Sequence, residues 1–156
     1  MNRSRKLFPI VVPALVLAGA GIFGTASASA GGRPLDASLA ASNEVSNAGV
    51  PVPGDKGATG SAALTLNQGQ GEICFDFELV GLTAPASRAH IHRGVAGVNG
   101  PVVVEFYETG EPAVTEGCVA VDAALVKEIR RNPAGFYVNV HNKTAPAGAV
   151  RGQLGR

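Results

Sequence analysis

The 156-residue chain carries 13 basic and 12 acidic side chains, a formal charge of +1. That length suits one domain, and near-neutrality excludes a bulk electrostatic grip on nucleic acid. With 21 Gly, 10 Pro, two Tyr and no Trp, the composition speaks against a helical bundle and for short strands joined by many turns.

Residues 1–30 read as a signal peptide. Arg3, Arg5 and Lys6 open it, residues 7–24 are uncharged, and Ala26-Ser27-Ala28-Ser29-Ala30 offers cleavage after Ala28 or Ala30. About 18 apolar residues could nearly span a bilayer as an uncleaved anchor. Pro9, Pro13, the small-residue exit and the lack of a basic stop favour cleavage, with no transmembrane segment left afterwards. No Cys lies at the exit, so the lipoprotein variant is excluded. Without Arg3, Arg5 and Lys6 the balance is 10 basic against 12 acidic side chains, or −2 over 126 residues. Of these, 31 are Ile, Leu, Val or Phe, more than the roughly 20% below which chains stay disordered.

Residues 31–34 form a flexible lead-in. In 35–45, Leu35, Ala37 and Leu39 share one parity and predict a first strand. Residues 50–59 are turn-forming, 61–66 alternate weakly, and Asn67-Gln68-Gly69-Gln70-Gly71 makes a hairpin connection. The clearest strand follows, with Ile73, Phe75, Phe77 and Leu79 against Cys74, Asp76 and Glu78. After a loop over 81–87, residues 89–92 are a short strand and 93–101 a Gly-rich turn. The β-branched run 102–107 predicts a central strand, 109–112 a turn, and 114–121 a strand carrying Cys118. One helix is expected near 122–132. Asp122 caps it, Leu125, Val126 and Ile129 share a side, and Asn132-Pro133 stops it. Residues 136–141 form a strand, 143–148 a turn, and 150–154 close the chain. Eight short strands without strand–helix alternation predict an all-β fold, an antiparallel Greek-key β-sandwich or flattened barrel.

Cys74 and Cys118 read as a disulfide, since an exported pair is more often oxidised than a metal site or nucleophile.

The three histidines sit in Ala89-His90-Ile91-His92 and Val138-Asn139-Val140-His141. Strand parity puts His90 and His92 on one face, and Tyr137, Asn139 and His141 opposite Phe136, Val138 and Val140. The expected place of the imidazoles is therefore the more polar face of the sheet, away from the core. Three readings compete: hydrogen bonds to turn backbone, a copper or zinc site made of His90, His92 and His141, or acid–base work. Arg151 could pair with an acid across the sheet or stack on Tyr137. Ser87 and Thr83 lack a nucleophile elbow, the acids show no paired-carboxylate pattern, and 94–100 lacks the Lys-Ser/Thr of a phosphate loop. Asn142-Lys143-Thr144 matches the glycosylation acceptor pattern and reads as a chance occurrence.

These segments together resemble a family. Ala89-His90-Ile91-His92, Gly94, Gly97 and Gly100-Pro101-Val102-Val103 resemble the first signature of the chordin-type (CHRD) domain. Phe136-Tyr137-Val138-Asn139-Val140-His141, Pro146, Gly148 and Arg151-Gly152-Gln153-Leu154 are similar to its second signature, and Leu39-Ala40-Ala41-Ser42-Asn43-Glu44-Val45 to its opening strand. The match covers 35–154. The resemblance implies an exported, single-domain member of the bacterial type, with an immunoglobulin-like or superoxide-dismutase-like sandwich. Animal members antagonise growth factors, but the Cys-rich modules that accompany the domain there are missing from this sequence. Three histidines also fall short of a dismutase's richer ligand set, and no zinc loop matches.

The expected function is a secreted, extracellular or cell-envelope binding module and not an enzyme. Its surface would comprise His90, His92, Tyr137, Asn139, His141 and Arg151, with 93–101 at the rim. The alternative is a copper or zinc protein, with dismutase-like chemistry as an extension.

Overall fold

The computed structural model describes residues 32–108 and 114–156; the expected signal peptide at 1–30 and the expected turn at 109–112 lie outside the described residues. The strands are β1 (Arg33–Ala40), β2 (Thr59–Asn67), β3 (Glu72–Val80), β4 (Ala86–Arg93), β5 (Val102–Glu108), β6 (Glu116–Ala120), β7 (Phe136–Asn142) and β8 (Val150–Gln153). One helix, α1 (Ala123–Arg131), lies between β6 and β7. Asp122 caps it by accepting from the Ala124 and Leu125 N–H groups at 2.8 and 3.1 Å.

All pairings are antiparallel, in the order β5-β4-β7-β8-β1-β2-β3-β6. The two ends of that order come within 8 Å, so the sheet is nearly closed. The connections β3→β4 and β6→β7 jump between distant strands, as a Greek key requires. This is the expected all-β architecture.

Period-2 alternation decides what faces inward. Leu35, Ala37 and Leu39 on β1, Ala62, Leu64 and Leu66 on β2, and Ile73, Phe75 and Phe77 on β3 are all buried in one cluster. Phe75 and Phe77 meet Phe106 at ring-centroid distances of 4.8 and 5.4 Å, so the aromatics tie β3 to β5 through the interior. Val126 and Ile129 seat α1 on the sheet.

Three expectations change. The first strand starts at Arg33, inside the supposed lead-in, and ends at Ala40; Ala41–Asn43 is a 3₁₀ turn. There the Ala41 N–H bonds Ala58 O and the Asn43 side chain donates to Arg151 O, which turns the chain and carries Glu44 inward. The run 102–107 is not central: β5 ends the strand order, with Val102 48% exposed, because only one flank finds a hydrogen-bonded neighbour. The histidine-bearing face is polar but not open, since all seven residues of β7 are buried.

Cys74 and Cys118 stand opposite each other on β3 and β6 and form a disulfide with a sequence separation of 44.

Candidate functional site: a covered histidine cluster

Register builds the site. On the face opposite the core, His90, Asn139 and Arg151 form one row across β4, β7 and β8, and His92, Tyr137 and Gln153 form the next. His141 stands opposite Arg88, diagonal to His90. The five residues singled out by strand parity, His90, His92, Tyr137, Asn139 and His141, are therefore brought together with Arg151 on adjoining rows of one sheet face.

Two loops fold down over them. Arg151 Nη2 donates to Val95 O and Val98 O at 3.2 and 2.7 Å, and its guanidinium carbon lies 3.4 Å from the centroid of the Tyr137 ring. No carboxylate approaches Arg151 as an ion pair among the described residues, so stacking wins over the acid pairing. Gln153 holds Gly94 O and Phe136 O, and the Tyr137 hydroxyl donates to Asn99 Oδ1 at 2.8 Å. From the other side, Glu44 Oε2 accepts from Asn139 Nδ2 at 3.2 Å. Tyr137 is wholly buried, and Asn139 and Arg151 are each 2% exposed. His90, His92 and His141 keep 7, 9 and 7%.

The imidazole hydrogens follow from their partners. A carbonyl only accepts, so His92 Nδ1–H donates to Gly100 O at 2.9 Å and His141 Nδ1–H to Pro146 O at 3.1 Å. Each ring then presents a lone pair at Nε2. That of His141 faces His90 Nδ1 at 3.3 Å, whereas buried His92 Nε2 has no partner among the described residues. One ligand atom from each of the three rings falls within 4.8 Å of the others.

Burial holds all three imidazoles below their ordinary range, His90 and His141 down to about 4, helped at His90 by neighbouring His92 and Arg88. They are neutral at pH 7, and the Nε2 lone pair of His92 is free. Burial also pushes the Glu44 carboxyl up to about 7, against the opposing pull of Asn139 and Arg151.

A second cluster, Glu72, Cys74 and Cys118, also falls within 4.8 Å, but its sulfurs are bonded to each other and offer no thiolate. Asn142 is 1% exposed and its amide donates to Asp55 Oδ2 at 2.6 Å and Ala84 O at 3.2 Å, so it presents no acceptor for a glycan in the folded protein. Asp55 also receives the Thr83 N–H and hydroxyl at 2.8 and 2.9 Å.

Hydrogen bonds from the histidines to turn backbone were expected, and the structure identifies the acceptors as Gly100 O and Pro146 O. Glu44 was visible only as an acid in an otherwise small-residue segment. Gly100 is there because a Cβ would lie 1.7 Å from Arg93 O. Gly100→Ala is expected to displace this loop at a cost of about 1–3 kcal/mol and to free the His92 ring. Chemical denaturation reads the first effect and the His92 ¹⁵N tautomer pattern the second.

A family model described as CHRD domain matches residues 35–154. No curated protein and no solved structure matches the chain.

Proposed function

The chain belongs to the CHRD domain family, and from that premise we propose that it is an exported binding domain that holds copper or zinc through His90, His92 and His141. The observation that carries this reading is the orphaned, buried Nε2 of His92 beside two further neutral imidazoles. An unpaired buried acceptor costs about 1–3 kcal/mol, and a cation would satisfy it. Two ligands 2.0–2.1 Å from a tetrahedral metal stand about 3.4 Å apart, close to the 3.3 Å between His90 Nδ1 and His141 Nε2. A cation taking both replaces the proton between them, which moves to His90 Nε2. Gly100 O and Pro146 O are the outer partners that orient metal-binding imidazoles.

The leader at 1–30 and the Cys74–Cys118 bond support export. No helix among the described residues is long and apolar enough to cross a membrane. Binding is favoured over acid–base work, since imidazoles pulled to about 4 are poorly placed to exchange protons near pH 7.

Titration calorimetry of untagged protein with Zn²⁺ and Cu²⁺ tests the reading. One equivalent should bind, and His141→Ala and His92→Ala should each weaken it more than about 100-fold, beyond the 10–100-fold of an outer-shell loss. No heat at micromolar metal, or unchanged binding in both variants, rejects the site.

A second reading, recognition of an extracellular or cell-envelope partner, is favoured by Val50, Val95 and Val98, which are 58, 55 and 48% exposed. Their two loops touch through Asn99 and Asn47 at 2.8 Å. Capture of an envelope component by the protein, lost in a Val95→Ser and Val98→Ser variant, would support it.

A further inference from the structure

Away from the histidines, five cations surround one hollow of about 340 Å³: Arg33, Lys127, Arg130, Arg131 and Arg156, with Gln68 completing its wall. They come from separate parts of the chain. Lys127, Arg130 and Arg131 are spaced i, i+3 and i+4 on α1, whose opposite side buries Val126 and Ile129. Arg33 pairs with Leu66 in the β1–β2 ladder, which sets it beside Gln68 as β2 ends. Arg156 follows Gly155, which bridges to Asp36 on β1.

The acids that could neutralise them are engaged elsewhere. Glu128, the one carboxylate within α1, pairs with Arg93, and Asp122 is used as the cap. Asp36 lines the adjoining hollow with Arg156, not this one. None of the five cations has a carboxylate within 4.0 Å among the described residues. Attraction to the helix C-terminus accounts for Arg130 and Arg131, but not for Arg33 and Arg156. The Nε of Arg130 is buried without a partner, while its Nη1 reaches Gln68 Oε1 at 2.8 Å. The hollow continues past Gln68 and Arg130 into a second one of about 210 Å³, walled by Asn67 at the end of β2 and by Gly69 and Gln70 of the β2–β3 turn.

Repulsion among crowded cations is relieved most by a ligand that brings several negative charges in a small volume. Guanidinium forks match phosphoryl oxygens two at a time, and a lysine adds a point charge. We propose that the hollow framed by Arg33, Lys127, Arg130, Arg131 and Arg156 binds a diphosphate group, free or carried as an ester.

Calorimetry of the purified protein with inorganic pyrophosphate and with ADP, in low salt, tests this. One site is expected for at least one of the two, and tighter binding of ADP than of pyrophosphate assigns the esterified form. Lys127→Ala and Arg131→Ala should each weaken binding about tenfold. Both substitutions place a better helix former on an exposed position, so unchanged circular dichroism keeps the comparison valid. His141→Ala should leave the affinity unaltered. Absence of binding by both probes, or affinity that survives the double substitution, overturns the proposal. Equal binding of citrate at the same charge overturns the phosphoryl assignment.

Discussion

Acidification from pH 6.5 to 4 is expected to remove about 3 kcal/mol of stability for each of His90 and His141. Both are held neutral by burial, with pKa values down to about 4, whereas the unfolded chain titrates near 6.5. The folded form therefore binds fewer protons in this window. The stability is fully present above pH 6.5 and is lost as the pH falls towards 4. His92, lowered for the same reason, acts in the same direction. Glu44 opposes them. Its carboxyl is raised from 4.5 to about 7, so its contribution is present below pH 4.5 and is lost as the pH rises to about 7. Acidification recovers that part, and the net loss is smaller than the histidines alone would produce.

Urea unfolding at pH 7, 5.5 and 4 measures the balance. The wild type should lose stability across the series, and a His141→Phe variant should lose less. A His141→Phe variant that loses as much as the wild type would mean that the covered face does not hold this imidazole neutral. Saturating zinc should steepen the acid limb, since protons and metal compete for the same lone pairs.

Removing the Cys74–Cys118 bond should cost about 3–4 kcal/mol, the loop-closure entropy of a chain segment this long. For a domain of this size that corresponds to a fall in Tm of roughly 10–15 °C. Cys74 is half-buried and Cys118 exposed, so a double Ser variant leaves no large cavity and isolates the cross-link. The β3–β6 ladder, which pairs Glu72 with Ala120 through Asp76 with Glu116, remains to hold β6 in place. A double Ser variant melting within about 2 °C of the wild type would refute the assignment.

Much of this molecule was legible residue by residue. Alternation in 73–79 gave the inward Ile73, Phe75 and Phe77, because successive side chains of a strand leave on opposite faces. Asp122 and Asn132-Pro133 bracketed the helix for equally local reasons. Parity grouped His90 with His92, and His141 with Asn139 and Tyr137. Other features misled. The β-branched run at 102–107 pointed to a central strand, but position in a sheet depends on which neighbours pair, and β5 has one hydrogen-bonded flank. Likewise the strand expected over 35–45, from the parity of Leu35, Ala37 and Leu39, stops at Ala40, where Ala41 and Asn43 take partners from the loop before β2 and from β8.

By itself the sequence determined the strand faces, the cap, the cysteine pairing and the family, each of which rests on local periodicity, spacing or an ordered motif. Only the tertiary structure decided that the polar face is covered. Glu44 reaches Asn139 and His90 meets His141 across long stretches of chain, while the turns after β4 and β7 fold Gly100 and Pro146 back onto His92 and His141. Burial by those loops is what keeps the imidazoles neutral and orients their hydrogens. The same holds for the cations around α1, where Arg33 and Arg156 join the helix's own Lys127, Arg130 and Arg131 only when both ends of the domain close on the helix. Solvent exclusion and charge convergence are properties of what folds over a residue, and no local pattern encodes them.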